Sequence, residues 1–104
     1  MLLRPGPASD PIYRQNRDLN DEYTVRGREY LERIWREVGA YIDGDAAEKA
    51  TLDFLSVFWE LQLAHNLKGV GKQLVPRSRR AYKNGGPDLL VEDCPNVWVE
   101  AVAV

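Results

Sequence analysis

Cysteine is nearly absent from this 104-residue chain: Cys94 stands alone, which excludes an intrachain disulfide and any cysteine-based metal cluster. Its setting, Asp93-Cys94-Pro95, reads as a turn. Long apolar runs are missing as well. No segment approaches the ~18 consecutive apolar residues of a spanning helix, and only Leu2 and Leu3 precede Arg4-Pro5-Gly6-Pro7, which is no signal-peptide core. A cytoplasmic address is the expectation. Asp and Glu are missing from residues 61–87, where Lys68, Lys72, Arg77, Arg79, Arg80 and Lys83 supply six positive charges. With a total of −2, the rest of the chain carries −8. The net charge argues against a general nucleic-acid binder, but the local excess is what a polyanionic backbone would meet. A solvated connector is the equal alternative for this Pro-Arg-Ser-Arg-Arg run.

What is present suffices for one domain with a modest core, since 44% of residues are hydrophobic. Residues 1–20 hold Pro5, Pro7 and Pro11 with no periodicity and are expected to form an extended arm, docking through Ile12 and Tyr13. The domain proper is expected over 21–104. Leu31, Ile34, Trp35, Val38, Tyr41 and Ile42 form one helical stripe, so a helix is expected over about 21–43, ended by Asp43-Gly44. Asp45 followed by Glu48 resembles a capping box, and a second helix is expected over 45–68. A basic loop over 69–86 and strands over about 88–92 and 97–104 complete the expected α/β fold. Trp35, Trp59 and Trp98 sit among aliphatic residues and read as core.

The last nineteen residues carry the chemistry. Gly86-Pro87-Asp88 opens a short apolar run, residues 92–96 are rich in turn formers, and Val-Trp-Val-Glu-Ala-Val follows at 97–102. That is hairpin spacing, and it puts Asp88 and Glu100 on neighbouring strands. Mg²⁺ takes one or two carboxylates and keeps several waters, so such a pair is a candidate Mg²⁺ site, with Mn²⁺ as a substitute. Asp88 also reads as a turn residue capping its own backbone. Glu100 interrupts an apolar strand, where an unpaired buried carboxylate is costly, and therefore wants a cation, a donor or solvent. Asp53, Ser56 and Glu60 lie three and four apart on the second helix: either a solvent stripe, or a face that brings Glu60 to the sheet. His65 reads as a helix-surface residue.

The order of these residues resembles the PD-(D/E)xK nucleases, the restriction-endonuclease-like superfamily. Pro87-Asp88 opens one strand, Glu100 lies on the next, and Glu60, in Phe-Trp-Glu-Leu-Gln-Leu-Ala at 58–64, takes the place of the helix glutamate that members often carry upstream. The likeness covers about residues 54–104. It implies Mg²⁺-assisted hydrolysis of a DNA phosphodiester, with Asp88 and Glu100 as catalytic metal ligands, Glu60 supporting them, and the 68–83 cations gripping the backbone. Two departures stand out. The lysine expected two residues after Glu100 is Val102, which neither orients water nor offsets phosphate charge. Lys68, Lys72 or Lys83 would have to substitute. The superfamily core also continues past the glutamate strand with a helix and a further strand, whereas this chain stops at Val104. The expectation is an incomplete core in a shortened species, whose exposed apolar edge drives self-association.

Three functional readings remain open from the sequence. One is a metal-dependent DNA phosphodiesterase or its inactive relative. The second is a non-enzymatic nucleic-acid-binding or protein-interaction module on the same fold. The third is a small α+β scaffold completed by a partner chain.

Overall fold

The structure, a computed structural model, describes residues 1–80, 89–93 and 95–100. Its helices are α1 (Pro11–Asp18), α2 (Glu22–Val38), α3 (Ala46–Ala50) and α4 (Phe54–Gly69), with 3₁₀ turns at Gly39–Tyr41 and Arg77–Arg79. A three-stranded antiparallel sheet of β1 (Gln73–Leu74), β2 (Leu89–Glu92) and β3 (Val97–Val99), in that order, completes a mixed α/β architecture.

The long stripe behaves as its spacing predicts. Leu31, Ile34, Val38 and Ile42 are buried, and Trp35 and Tyr41 pack against the same core from its margin. Asp21 caps α2, its carboxylate accepting from the Thr24 N–H. The regular helix ends at Val38 rather than near 43, and the chain tightens into the 3₁₀ turn.

The first twenty residues depart from the extended arm expected of them. Asp10 ends an irregular approach and Pro11 opens α1 with its fixed φ, the position where a missing N–H costs nothing. Oδ1 of Asp10 accepts from the N–H groups of Ile12 (2.8 Å) and Tyr13 (3.2 Å). Its Oδ2 accepts from the Phe54 N–H (2.9 Å), the first residue of α4. One carboxylate thus caps two helices. The segment before it is docked by side chains: Glu32 accepts from the N–H groups of Leu2 and Leu3, while the Tyr13 hydroxyl accepts from Arg4 N–H and donates to Leu2 O. Leu2 and Tyr13 are fully buried. Docking through Tyr13 and Ile12 holds; the extended arm does not.

The helix expected over 45–68 is two helices. Asp45 precedes α3 without a side-chain cap bond, so the capping box does not form. Thr51–Asp53 break the run because three partners hold them out of helix: Thr51 O accepts from the Ser9 and Asp10 N–H groups, and Asp53 caps α4 through Ser56. On α4, Phe54, Val57, Leu61 and Ala64 face the core, while Leu55 and Trp59 are 43% and 47% exposed. Trp59 and the 38% exposed Trp98 therefore lie at the surface rather than in the core.

Within the expected loop over 69–86, Gly71 adopts a φ of 87°, open to glycine at no steric cost, and turns the chain from α4 into β1. β1 pairs Gln73 with Glu92 and Leu74 with Val91, so the sheet gains a strand that two residues were too few to announce. Leu74, Leu89 and Val91 face the helical core, joined by the half-buried Val99.

The double cap of Asp10 has a measurable consequence. Its hydrogen bond from Phe54 holds the carboxyl below its ordinary value of 3.8, helped by Tyr13, Ile12 and Arg14 against the opposing effect of burial. A folded value below the unfolded one contributes stability that is present above about pH 4 and lost as pH falls through the lowered value. Asp10→Ala is expected to cost about 1–2 kcal/mol in urea unfolding at pH 7, near the upper end for a helix cap. The deficit should narrow as pH drops below 3.8. An equal cost at pH 7 and pH 2 would refute this account.

Candidate functional site

Glu100 lies at one end of the β2–β3 hairpin. The register pairs Leu89 with Val99, Leu90 with Trp98 and Val91 with Val97, so Glu100 stands one residue beyond the last described pair. Continuing the two-residue period of an extended chain assigns it to the face of Trp98, not to the core face of Leu89 and Val91. Glu100 is exposed. Of the cation, donor or solvent expected to meet this carboxylate, solvent does so, and the cost of burying it unpaired does not arise. Asp88, expected to share the site, and Val102, in the place of the lysine, lie outside the described residues.

Glu60 belongs to α4. It falls between Val57 and Leu61 on the buried stripe of α4, with 4% of its side chain exposed, so the solvent-stripe alternative is wrong. Glu60 Oε1 accepts from the ammonium of Lys49 at 3.2 Å, an ion pair that spans the break between α3 and α4. Lys49 is 40% exposed along its side chain, its stem leading inward from solvent. Among the described residues, no three His, Cys, Asp or Glu side chains are grouped to hold a metal. For a divalent cation, then, the described donors offer the solvated carboxylate of Glu100, whereas that of Glu60 already faces a cation.

The basic run is divided by the fold rather than presented as one face. Lys68, with its ammonium 5.9 Å from the centroid of the Tyr41 ring, lines a pocket of about 320 Å³ together with Lys72 and Gln73. Arg77 turns toward the 3₁₀ turn Gly39–Tyr41, where its Nη1 donates to Gly39 O (3.2 Å) and Ile42 O (2.8 Å). Arg79 is exposed. Arg80 is not a phosphate-gripping residue in this structure: its side chain is 1% exposed and its Nη2 lies 3.5 Å from Asp43 Oδ1. Lys83 lies outside the described residues. His65 faces Glu37 on α2 at 3.3 Å and Tyr30 edge-on, a helix-to-helix contact in keeping with its surface reading.

No family model, curated protein or solved structure matches this chain. Function must therefore be argued from these residues. The sequence reading overlooked Lys49, because the ion pair joins positions eleven apart on two helices that periodicity merges into one. It also overlooked Arg4 and Tyr41, each of which lines a pocket beside the basic run.

The Lys49–Glu60 pair separates a structural role from a chemical one. Lys49→Met removes an ammonium from a carboxylate held away from water and is expected to lower stability by roughly 1–3 kcal/mol. In the double variant Lys49→Met, Glu60→Leu, the loss should largely disappear, because apolar replacement of both partners of a buried pair is often neutral. Thermal unfolding of the three proteins checks this; a double variant worse than Lys49→Met alone would show that Glu60 has a further task in the core.

Proposed function

We propose that this chain is a nuclease-type module of the restriction-endonuclease-like kind, a metal-dependent DNA phosphodiesterase in which Val102 leaves hydrolysis weak or absent. The observation that carries the reading is the β2–β3 hairpin. Its register leaves Glu100 just past the Leu89–Val99 pair, at the end of β2 that Pro87-Asp88 precedes in sequence. Support also comes from the order of elements, a helix bearing Glu60 followed by an antiparallel meander with the acidic residues at its final hairpin. In this proposal Asp88 and Glu100 hold Mg²⁺ or Mn²⁺ at that end, and Glu60 supports the site from α4. A divalent cation bound there would stabilise charge on the phosphate and acidify a bound water. The chain's own part is to supply the carboxylates, to bring phosphate close with cations of the 68–83 run, and to move the water's proton. Position 102 lacks a group for the last task.

The exposed carboxylate of Glu100 and the commitment of Glu60 to Lys49 favour a second reading on the same fold. In it the chain binds nucleic acid and cuts nothing. Self-association belongs to either proposal: β3 is an edge of the described sheet, and its Val97 and Trp98 are 48% and 38% exposed. Such an edge is a template for a second copy.

Nicking of supercoiled plasmid with Mg²⁺ or Mn²⁺ tests the first reading. Wild type is expected to nick weakly or not at all, Val102→Lys to nick measurably faster, and Asp88→Ala or Glu100→Ala in that background to return to baseline. Nicking by Val102→Lys that survives both alanine substitutions would end the proposal. For assembly, light scattering is expected to report a species heavier than the 11.9 kDa monomer at high concentration. Val97→Lys, a charge on the edge strand, should shift it toward the monomer; a wild type that stays monomeric refutes the edge-pairing claim.

A further inference from the structure

The 3₁₀ turn Gly39–Tyr41 is a narrow ridge between two pockets, and each pocket combines an aromatic ring with two cations. On one side, a cavity of about 350 Å³ is lined by Trp35, Arg4, Arg77, Gly39, Ala40 and Glu48. Gly39 lets the indole lie directly on the backbone, since an added Cβ would come within 3.3 Å of it. On the other side, Tyr41 stands with Lys68, Lys72 and Gln73. Arg77 holds the ridge from below through Gly39 O and Ile42 O, a use of Nη1 that leaves its other nitrogens without a hydrogen bond among the described residues. Arg77 is half-buried, whereas Arg4 is exposed, with Nε on Met1 O.

We propose that this surface is a track for single-stranded nucleic acid, with Trp35 and Tyr41 taking bases on either side of the ridge and Arg4, Arg77, Lys68 and Lys72 taking phosphates. Interleaved rings and cations are the chemistry of sequence-tolerant single-strand binding. Unstacked bases alone offer their faces to a surface aromatic ring, so a duplex would engage the cations and leave both rings unused. Glu48 argues the same way: a carboxylate repels a free phosphate but accepts from the amino group of a base. The inference rests on the nucleic-acid part of the proposed function and narrows its substrate to single strands. It is indifferent to whether the hairpin end cuts.

Fluorescence anisotropy in EDTA, with a labelled single strand of mixed A and C and a duplex of equal length, measures the track without any catalysis. The single strand is expected to bind more tightly than the duplex, with log K falling against log salt at a slope of about −3 for four phosphate contacts. Tyr41→Ser should weaken single-strand binding by about tenfold, a stacked base being worth that much, and Lys72→Glu should weaken it by about as much by replacing a phosphate contact with a repelling charge. Arg79→Glu, an exposed cation that lines neither pocket, should weaken it by less. Circular dichroism of each variant verifies the fold. A duplex bound as tightly as the single strand, Arg79→Glu as damaging as Lys72→Glu, or no binding by wild type would each overturn the track. Plasmid nicking by Val102→Lys alongside any of those results would leave the catalytic reading standing without it. Single-strand binding with no nicking by any variant would support the track and remove the catalytic reading.

Discussion

The Asp10 carboxylate meets three backbone N–H groups, two at the start of α1 and one at the start of α4. Helix N-termini carry unsatisfied donors and a partial positive charge, so an anion shared between two of them stabilises both and fixes their relative approach. Much else follows from that junction. With the first turn of α4 tied to Asp10, and Thr51 O receiving Ser9 and Asp10 N–H, the chain cannot run straight from α3 into α4. The bend sets Lys49 beside Glu60, and it aims Phe54 edge-on at Tyr13. The Tyr13 hydroxyl in turn holds the Leu2 and Arg4 backbone, and so keeps two leucines in the core.

How much of this was legible depended on whether local pattern and tertiary partner agreed. The α2 stripe agreed with its core, and the β2–β3 hairpin with its turn-rich connector. For α1 the signals were in the chain, an Asp N-cap followed by Pro at the first helical position, but the neighbouring prolines masked them. The interruption at Thr51–Asp53 was announced only by the Asp53–Ser56 cap, while its other partners sit more than forty residues upstream in Ser9 and Asp10. No periodicity reveals such a partner. Glu60 shows the same limit. Spacing from Asp53 and Ser56 suggested a polar face, whereas spacing from Val57 and Ala64 would have placed it in the buried stripe it occupies.

Charge was harder to read than hydrophobicity. Six cations within 61–87 formed one feature in the sequence, but the fold distributes the described ones: Lys68 and Lys72 at one pocket with Lys68 against a ring, Arg77 on carbonyls, Arg79 in solvent and Arg80 buried beside Asp43. Burial decides which charges a ligand meets. Among the described residues, the two held inside, Glu60 and Arg80, are paired with Lys49 and Asp43 respectively, as ions removed from water must be.

The docking of Leu2 and Leu3 bears on how this chain could be cut into parts. A fragment beginning at residue 21 would retain every described strand and three of the four described helices, yet it would lose Leu2, Leu3 and Tyr13 from the core, the last of them edge-on to Phe54, and the anion at the head of α4. A core this small has no spare layer to collapse into that gap. The natural boundary for excision is therefore not the proline-rich stretch that composition suggests, because Leu2, Leu3 and Tyr13 belong to the core.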